Sequence, residues 1–417
     1  MDNKDIVIVI ITIRWTIMMR HTNNKMYFLL SAVISFATIL SLSACSETTT
    51  KKSVTSQQDK INKDSANIIP SSLKLKDAFS NHFKIGTALS REQIIGSQTS
   101  ILPFVNGQFN AITPENSMKW ERINPTLNVY DFEAADALVE YSNRNSHFFT
   151  GHTLVWHSQV PDWVFTNEDG TAISRDNLLE RMEKHINKLA GRYAGKIQAW
   201  DVVNEALNED GTLRNSKWRS IIGDDFIEYA FIYAAKAAPN AKLYYNDYNL
   251  YKPEKRNGVI KLVKNLQSKG IRIDGVGMQA HYALDKPNFS EVNDSIEAYA
   301  ALNVDVLITE LDISVIPFPD ENNMGADVSL HIALQDEFNP YPEALPASVE
   351  SQLADRYQAL FKIFNNHKQS IKRVTFWGVN DAHSWRNDWP MPGRTDYPLL
   401  FDRELKIKSF VDLLHKQ

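Results

Sequence analysis

From residue 72 onward, short apolar or β-branched runs alternate with segments whose apolar positions recur every three or four residues. The short runs fall at 83–90, 109–116, 148–157, 197–206, 242–249, 275–282, 305–313 and 374–381. Between them, segments such as 176–193, 224–238 and 253–269 carry the helical period. Asp176 and Asp224 stand where helix N-caps belong, and Gly270 follows the third of these helices as a C′ residue should. Strands alternating with helices predict parallel strands joined by crossover helices. Eight repeats predict an α/β chain closed into a (β/α)₈ TIM barrel, a single domain over 72–417, rather than an open doubly wound sheet. No GxGxxG follows the first strand and no GxxxxGK[ST] occurs, so the dinucleotide and P-loop signatures are missing.

Polar residues gather where each apolar run ends. They are Glu115-Asn116, His152 through His157, Asn204-Glu205, Asn246-Asp247, Gln279 with His281, Glu310 with Asp312, and Asn380-Asp381. In a barrel these ends share one rim, where residues distant in sequence converge. Taken singly, any one of them reads more readily as a solvated loop residue. Their recurrence around the rim points to a common site.

The N-terminal 71 residues have a different character. Residues 26–44 form an uncharged apolar run preceded by Arg20 and Lys25 and followed by Leu42-Ser43-Ala44-Cys45. That is the layout of a secretory signal, and its end resembles a bacterial lipobox, in which the cysteine is lipidated. Residues 1–45 are therefore read as a leader. The first 18 residues are superfluous to it, since a start at Met19 gives a conventional basic n-region. An uncleaved membrane anchor is the competing reading. The Ser/Thr/Gln/Lys-rich stretch 46–71 reads as a flexible tether. An exported cell-envelope lipoprotein is expected, anchored to a membrane through Cys45. Ser46 favours the outer membrane or cell surface.

Composition narrows the classes. Hydrophobic residues at 43% and charged residues at 23% are ordinary for a globular chain and exclude a mainly disordered or multi-pass membrane protein. A net charge of −5 argues against a nucleic-acid partner. With Cys45 the only cysteine, no intramolecular disulfide can form.

Two glutamates end otherwise apolar strands, Glu205 in WDVVNEA and Glu310 in VLITELDI. A barrel sets strands four and seven facing one cleft. Glycosidic cleavage needs two such carboxyl groups in unlike surroundings, one protonated to serve the leaving oxygen and one ionised to attack or to activate water. Burial beside aromatics raises one pKa, and donors around the other keep it ionised. A catalytic metal is disfavoured, because no CxxC or HExxH occurs and His152 and His157, five apart on a strand, face opposite sides. A serine hydrolase is disfavoured by the missing GxSxG. No cofactor is expected.

The segments ITPENSMKW (112–120), GHTLVWHSQVPDW (151–163), WDVVNEA (200–206), NDYN (246–249), GMQAHY (277–282), ITELDI (308–313) and FWGVNDAHSWR (376–386) together resemble glycoside hydrolase family 10, the endo-β-1,4-xylanases. The resemblance runs from about residue 75 to 417, with the motifs in order. It implies a retaining mechanism, with Glu205 as acid/base and Glu310 as nucleophile. It further implies that His281 and Asp312 hold the nucleophile ionised, and that Asn204 grips the sugar 2-hydroxyl. Glu115, Asn116, Lys119, His152, Trp156, Gln159 and Gln279 match positions that bind sugars on the non-reducing side. Trp377 and Trp385 match the tryptophans that floor and roof the cleft, and Tyr248 matches a residue on the leaving-group side. Xylan and xylo-oligosaccharides are the implied partners, and a monomer is expected.

Sugars present apolar C–H faces and hydroxyl rims, which suit flat aromatics beside amides and carboxylates. Seven of the nine tryptophans (120, 156, 163, 200, 377, 385 and 389) lie in or next to these motifs, and Trp200 reads as core. Thr150 departs from the arginine that many members carry, and 314–346 is a long rim loop that can alter the leaving-group subsites. The rival readings are a non-catalytic lipoprotein that binds xylo-oligosaccharides and a retaining β-glycanase with another sugar preference.

Overall fold

The computed structural model describes residues 73–318 and 336–416. The leader, Cys45 and the tether therefore lie outside the described residues, as does 319–335 of the long rim loop. Among the described residues, nine strand segments form the sheet: β1 (Lys84–Leu89), β2 (Ala111–Pro114), β3 (Phe148–Trp156), β4 (Ala199–Asn204), β5 (Lys242–Asp247), β6 (Gly275–Met278), β7 (His281–Ala283), β8 (Asp305–Ser314) and β9 (Ile371–Phe376). Neighbours pair in parallel from β1 through β6, then β6 with β8, β8 with β9, and β9 with β1. That ring is the closed eight-stave barrel which eight apolar runs predict.

The sixth run differs from expectation by breaking in two. Gln279 and Ala280 separate β6 from β7, and Ala280 takes a left-handed φ of 65°. β8 spans ten residues, and its second half pairs with β7, setting His281 opposite Asp312.

The core has two parts. The larger lies between the outer barrel face and the helices and contains Trp200, which is fully buried. The smaller fills the barrel's interior with Ala199, Tyr244 and Leu307 against Phe148. Ala199 and Trp200 are adjacent residues in different cores, as strand alternation requires. Burying surface on both faces of each strand explains why the runs are mostly apolar rather than alternating.

The helices Arg175–Arg192, Phe226–Ala237 and Pro253–Ser268 occupy the predicted segments. Their starts are capped differently from expectation. Ser174, not Asp176, caps the first, its side chain accepting the Asn177 N–H at 3.3 Å. Asp225, not Asp224, precedes the second, and its carboxylate binds the Arg175 guanidinium at 2.9 and 2.7 Å. Gly270 does follow the third, with φ 68°.

The pentapeptide Asn-Glu-Asp-Gly-Thr occurs twice, at 167–171 and 208–212, in the loops after β3 and β4. Both copies fold alike. The Thr N–H reaches the Asp carboxylate (3.0 and 2.9 Å), the Asn side chain reaches the Thr hydroxyl (3.0 and 3.1 Å), and Gly170 and Gly211 take φ 82° and 78°. Local hydrogen bonding of this kind sets a turn without tertiary help.

Candidate active site

Strand register brings the site together. Trp156 pairs with Asn204, Asn204 with Asn246, and Asn246 with Gly277, so one level of the barrel carries residues of β3, β4, β5 and β6. Gly277 is needed at that level. A Cβ there would stand 2.4 Å from the Asn246 Oδ1 and 2.8 Å from the Thr309 methyl group. Its absence leaves room for the Asn246 side chain to turn inward.

Glu205 follows the last residue of β4 with φ 55°. Left-handed backbone at a non-glycine costs roughly 1–3 kcal/mol. Two bonds hold it there: the Glu205 N–H donates to the Asn246 carbonyl at 2.9 Å, and the Arg214 Nε donates to the Glu205 carbonyl at 3.0 Å. The carboxyl group is buried. Its Oε2 accepts from the Trp156 indole at 2.9 Å, and its Oε1 accepts from Gln279 Nε2 at 2.8 Å and Asn204 Nδ2 at 3.1 Å.

Glu310, on β8, is also buried but differently served. Its Oε1 accepts from Asn246 Nδ2 at 2.7 Å. The Thr309 hydroxyl donates to Asn246 Oδ1 at 2.6 Å, which fixes the amide orientation. Asn246 Nδ2 also donates to Asn204 Oδ1 at 2.9 Å, so one amide chain links the two glutamates.

The Oε2 of Glu310 lies 3.3 Å from His281 Nε2, and His281 Nδ1 lies 3.0 Å from Asp312 Oδ1. Burial alone would lower the His281 pKa, but Asp312 and Glu310 outweigh it and raise it to about 9. His281 is therefore an imidazolium at neutral pH. Burial pushes Glu310 up in turn, but the His281 hydrogen bond, the nearby His152 and His281 charges and Asn246 leave it below its ordinary value. Asp312 behaves alike: burial is overcome first by Arg386, then by His281 and the Trp385 indole. Arg386 Nε and Trp385 Nε1 donate to its two oxygens at 2.8 and 2.7 Å.

Asn204, Glu205, Gln279, His281 and Glu310 line a cleft of about 380 Å³ with Glu115, Asn116, Lys119, His152, Trp156, Gln159, Trp377, Trp385 and Trp389. Lys119 donates to Asn116 at 2.8 Å and stands 4.8 Å above the Trp156 ring. Burial lowers its pKa against the pull of Glu310, Glu115 and Glu205, and burial raises Glu115 despite Lys119. His152 meets Asp201 at 3.0 Å and the edge of Trp377 at 5.4 Å between ring centroids. Trp385 packs on Trp389 at 4.4 Å, and Trp389 on Phe318 at 5.3 Å.

Of the residues expected at the site, Tyr248 and Asp312 do not line this cleft. Asp312 stands behind His281. Tyr248 lies half-buried past Glu205, its hydroxyl accepting from Arg214 at 2.8 Å. Among the described residues, no three His, Cys, Asp or Glu side chains are arranged to hold a metal ion.

The family model for glycosyl hydrolase family 10 matches residues 74–416. The chain belongs to glycosyl hydrolase family 10. Within the family, it is 44% identical over 337 residues to endo-1,4-beta-xylanase A of Xylanibacter ruminicola, covering 81% of this chain and 91% of that one. It is equally 44% identical to an endo-1,4-beta-xylanase of Geobacillus stearothermophilus, covering 79% and 94%. Among solved structures, an endoxylanase of this family from a sugarcane soil metagenome superposes with a TM-score of 0.79 at 45% identity, covering 82% of this chain and 99% of that one. A mutant in complex with xylotriose superposes with a TM-score of 0.73 at 38% identity, covering 83% and 100%.

The family 10 site also contains residues that strand-end reading passes over. Asn246 lies inside the NDYN motif, but nothing local shows that its amide reaches β8. Arg386 sits beside Trp385 in sequence, yet its pairing with Asp312 spans 74 positions. Trp389 has a sequence signal, being one of the rim tryptophans. Asp201 has none, because a carboxylate inside an apolar strand gives no hint of its histidine partner.

Proposed function

We propose that the chain is an endo-β-1,4-xylanase that hydrolyses internal xylosidic bonds with retention of configuration. One observation supports the roles most strongly: of two buried carboxyl groups in one cleft, only Glu310 touches a cation, the His281 imidazolium. Glu310 is the nucleophile. Its oxygen bonds to the anomeric carbon as the glycosidic C–O bond breaks, and Glu205 gives its proton to the departing oxygen. Glu205 then takes a proton from water, whose oxygen displaces Glu310 from the same carbon. Donors from Trp156, Gln279 and Asn204 aim Glu205, while Asn246 and His281 aim Glu310. Asn204, at the junction of both, is placed to bond the 2-hydroxyl next to the reacting carbon, a contact that strengthens in the transition state.

The packed Trp385–Trp389 pair, its rings tilted at 35°, walls the cleft and leaves little room for a hydroxymethyl group, which favours pentoses. Incubating the 72–417 segment with xylan, cellulose and mannan tests the reading. Reducing ends are expected chiefly from xylan; none from xylan retires the function, and an equal rate on glucan retires the role of the tryptophan wall. We also propose lipidation at Cys45 and export to the cell envelope, supported by the apolar run 26–44 and the residues that follow it. Labelled palmitate is expected in the full chain and not in Cys45→Ser; no label in the full chain removes that proposal.

A further inference from the structure

Lys255 is a fully buried lysine on the helix Pro253–Ser268, and no step of the reaction uses it. Its Nζ lies 2.9 Å from Asp247 Oδ1, at the end of β5, and 3.1 Å from Glu209 Oε1, in the second Asn-Glu-Asp-Gly-Thr turn. The same ammonium stands 3.6 Å from the centre of the Tyr248 ring, closer than the other cation–ring contacts described. Asp247 is held in turn by the Tyr245 hydroxyl at 2.5 Å and accepts the Tyr248 N–H at 2.9 Å. On the far side, Arg214 donates to the Tyr248 hydroxyl at 2.8 Å and to the Glu205 carbonyl at 3.0 Å. One ring is thus fixed at its face by Lys255 and at its hydroxyl by the arginine that holds the acid/base backbone.

The proton donor must stand between the two sugars that part. The cleft of the nucleophile takes one of them, so the other lies past Glu205, where Tyr248 is half-buried. We infer that Lys255 is a positioning residue for the leaving-group sugar, acting through the plane and height of the Tyr248 ring. The inference rests on the proposed glycosidase function. An ammonium against an aromatic face in a desolvated site is a strong directional contact. Misplacing a sugar platform lowers rate without touching the reacting carboxyl groups.

The test compares two substrates. Xylohexaose has a sugar leaving group that needs the platform; an aryl β-xylobioside with an activated phenol does not. In Lys255→Met, kcat/KM for xylohexaose is expected to fall about tenfold or more, with less than threefold change on the aryl substrate. In a Tyr248→Leu background the same substitution is expected to add little, and Lys255→Arg to restore most of the loss. Should Lys255→Met not fold, Glu209→Gln keeps Asp247 paired and is expected to show the same selectivity at two- to threefold. Equal losses on both substrates, or undiminished loss in the Tyr248→Leu background, overturn the inference. A wild-type chain inert on the aryl xylobioside instead removes the functional reading itself.

Discussion

Glu205 and Glu310 are the same side chain at the ends of barrel strands, buried alike, yet they keep different company. Glu205 receives three neutral donors, an indole and two amides. Glu310 receives one amide and one imidazolium, backed by Asp312 and Arg386. A neutral donor orients a carboxyl group in either protonation state, whereas a fixed cation favours the anion. Division of labour between two identical residues is therefore decided one layer behind them.

Removing each glutamate should break the symmetry most visibly. Glu310→Ala is expected to lower kcat on xylan by roughly 10⁴-fold or more. Azide should partly rescue it on an aryl xylobioside and yield the α-glycosyl azide, since azide takes the nucleophile's place below the ring. In Glu205→Ala, azide replaces water above the ring and should yield the β-azide. Product anomers read by NMR decide the matter, and the same anomer from both variants would undo the assignment of roles.

The second layer is tested by pH. His281 has its folded pKa raised to about 9, so its contribution to stability is complete below its unfolded value near 6.5 and is lost as pH rises through 9. Its ring nitrogens should titrate near 9 by NMR in the wild type. Glu310→Gln removes one of the two carboxylates and should bring that midpoint down by about a unit or more. His185 offers the contrast within one chain: burial alone drives it to about 3, because no acid faces it. Were His281 to titrate at 6.5 in both proteins, the cation behind Glu310 would not exist. On the Glu205 side, Trp156→Phe keeps the ring and deletes one neutral donor, and kcat/KM should fall only about tenfold.

How far this arrangement is legible in the sequence follows from range. Apolar runs locate the barrel strands, because a strand buried on both faces is mostly apolar. The polar residues after those runs locate the rim. Contacts such as Asn246 to Glu310, or Arg386 to Asp312, depend on register and on loops that return across the barrel, and no local pattern encodes them. Left-handed backbone at Glu205, Gln159 and Ala280, with φ of 55°, 50° and 65°, is equally silent, since none of the three is a glycine. Even helix caps escape by a residue or two, because Ser174 and Asp176 are both acceptable caps by composition and tertiary packing selects between them.

The two Asn-Glu-Asp-Gly-Thr turns repeat the carboxylate comparison on a smaller scale. Identical residues make identical turns, but Glu209 of the second copy binds Lys252, Lys255 and Asn249 at 2.6, 3.1 and 3.0 Å, tying its turn to the leaving-group wall. The glycines expose the difference in stability rather than rate. Gly170→Ala meets nothing within 4 Å and pays only for a left-handed alanine, about 1 kcal/mol, or roughly 1–3 °C in Tm. Gly211→Ala carries the same strain, and its Cβ would stand 2.4 Å from the Glu254 carbonyl oxygen at the start of the Lys255 helix. Backbone must move there, which adds about 1–3 kcal/mol. The Tm loss should therefore be at least twice as large for Gly211→Ala, and only that variant should also lose rate on xylohexaose. Equal losses would mean that the second turn is as independent of its surroundings as the first.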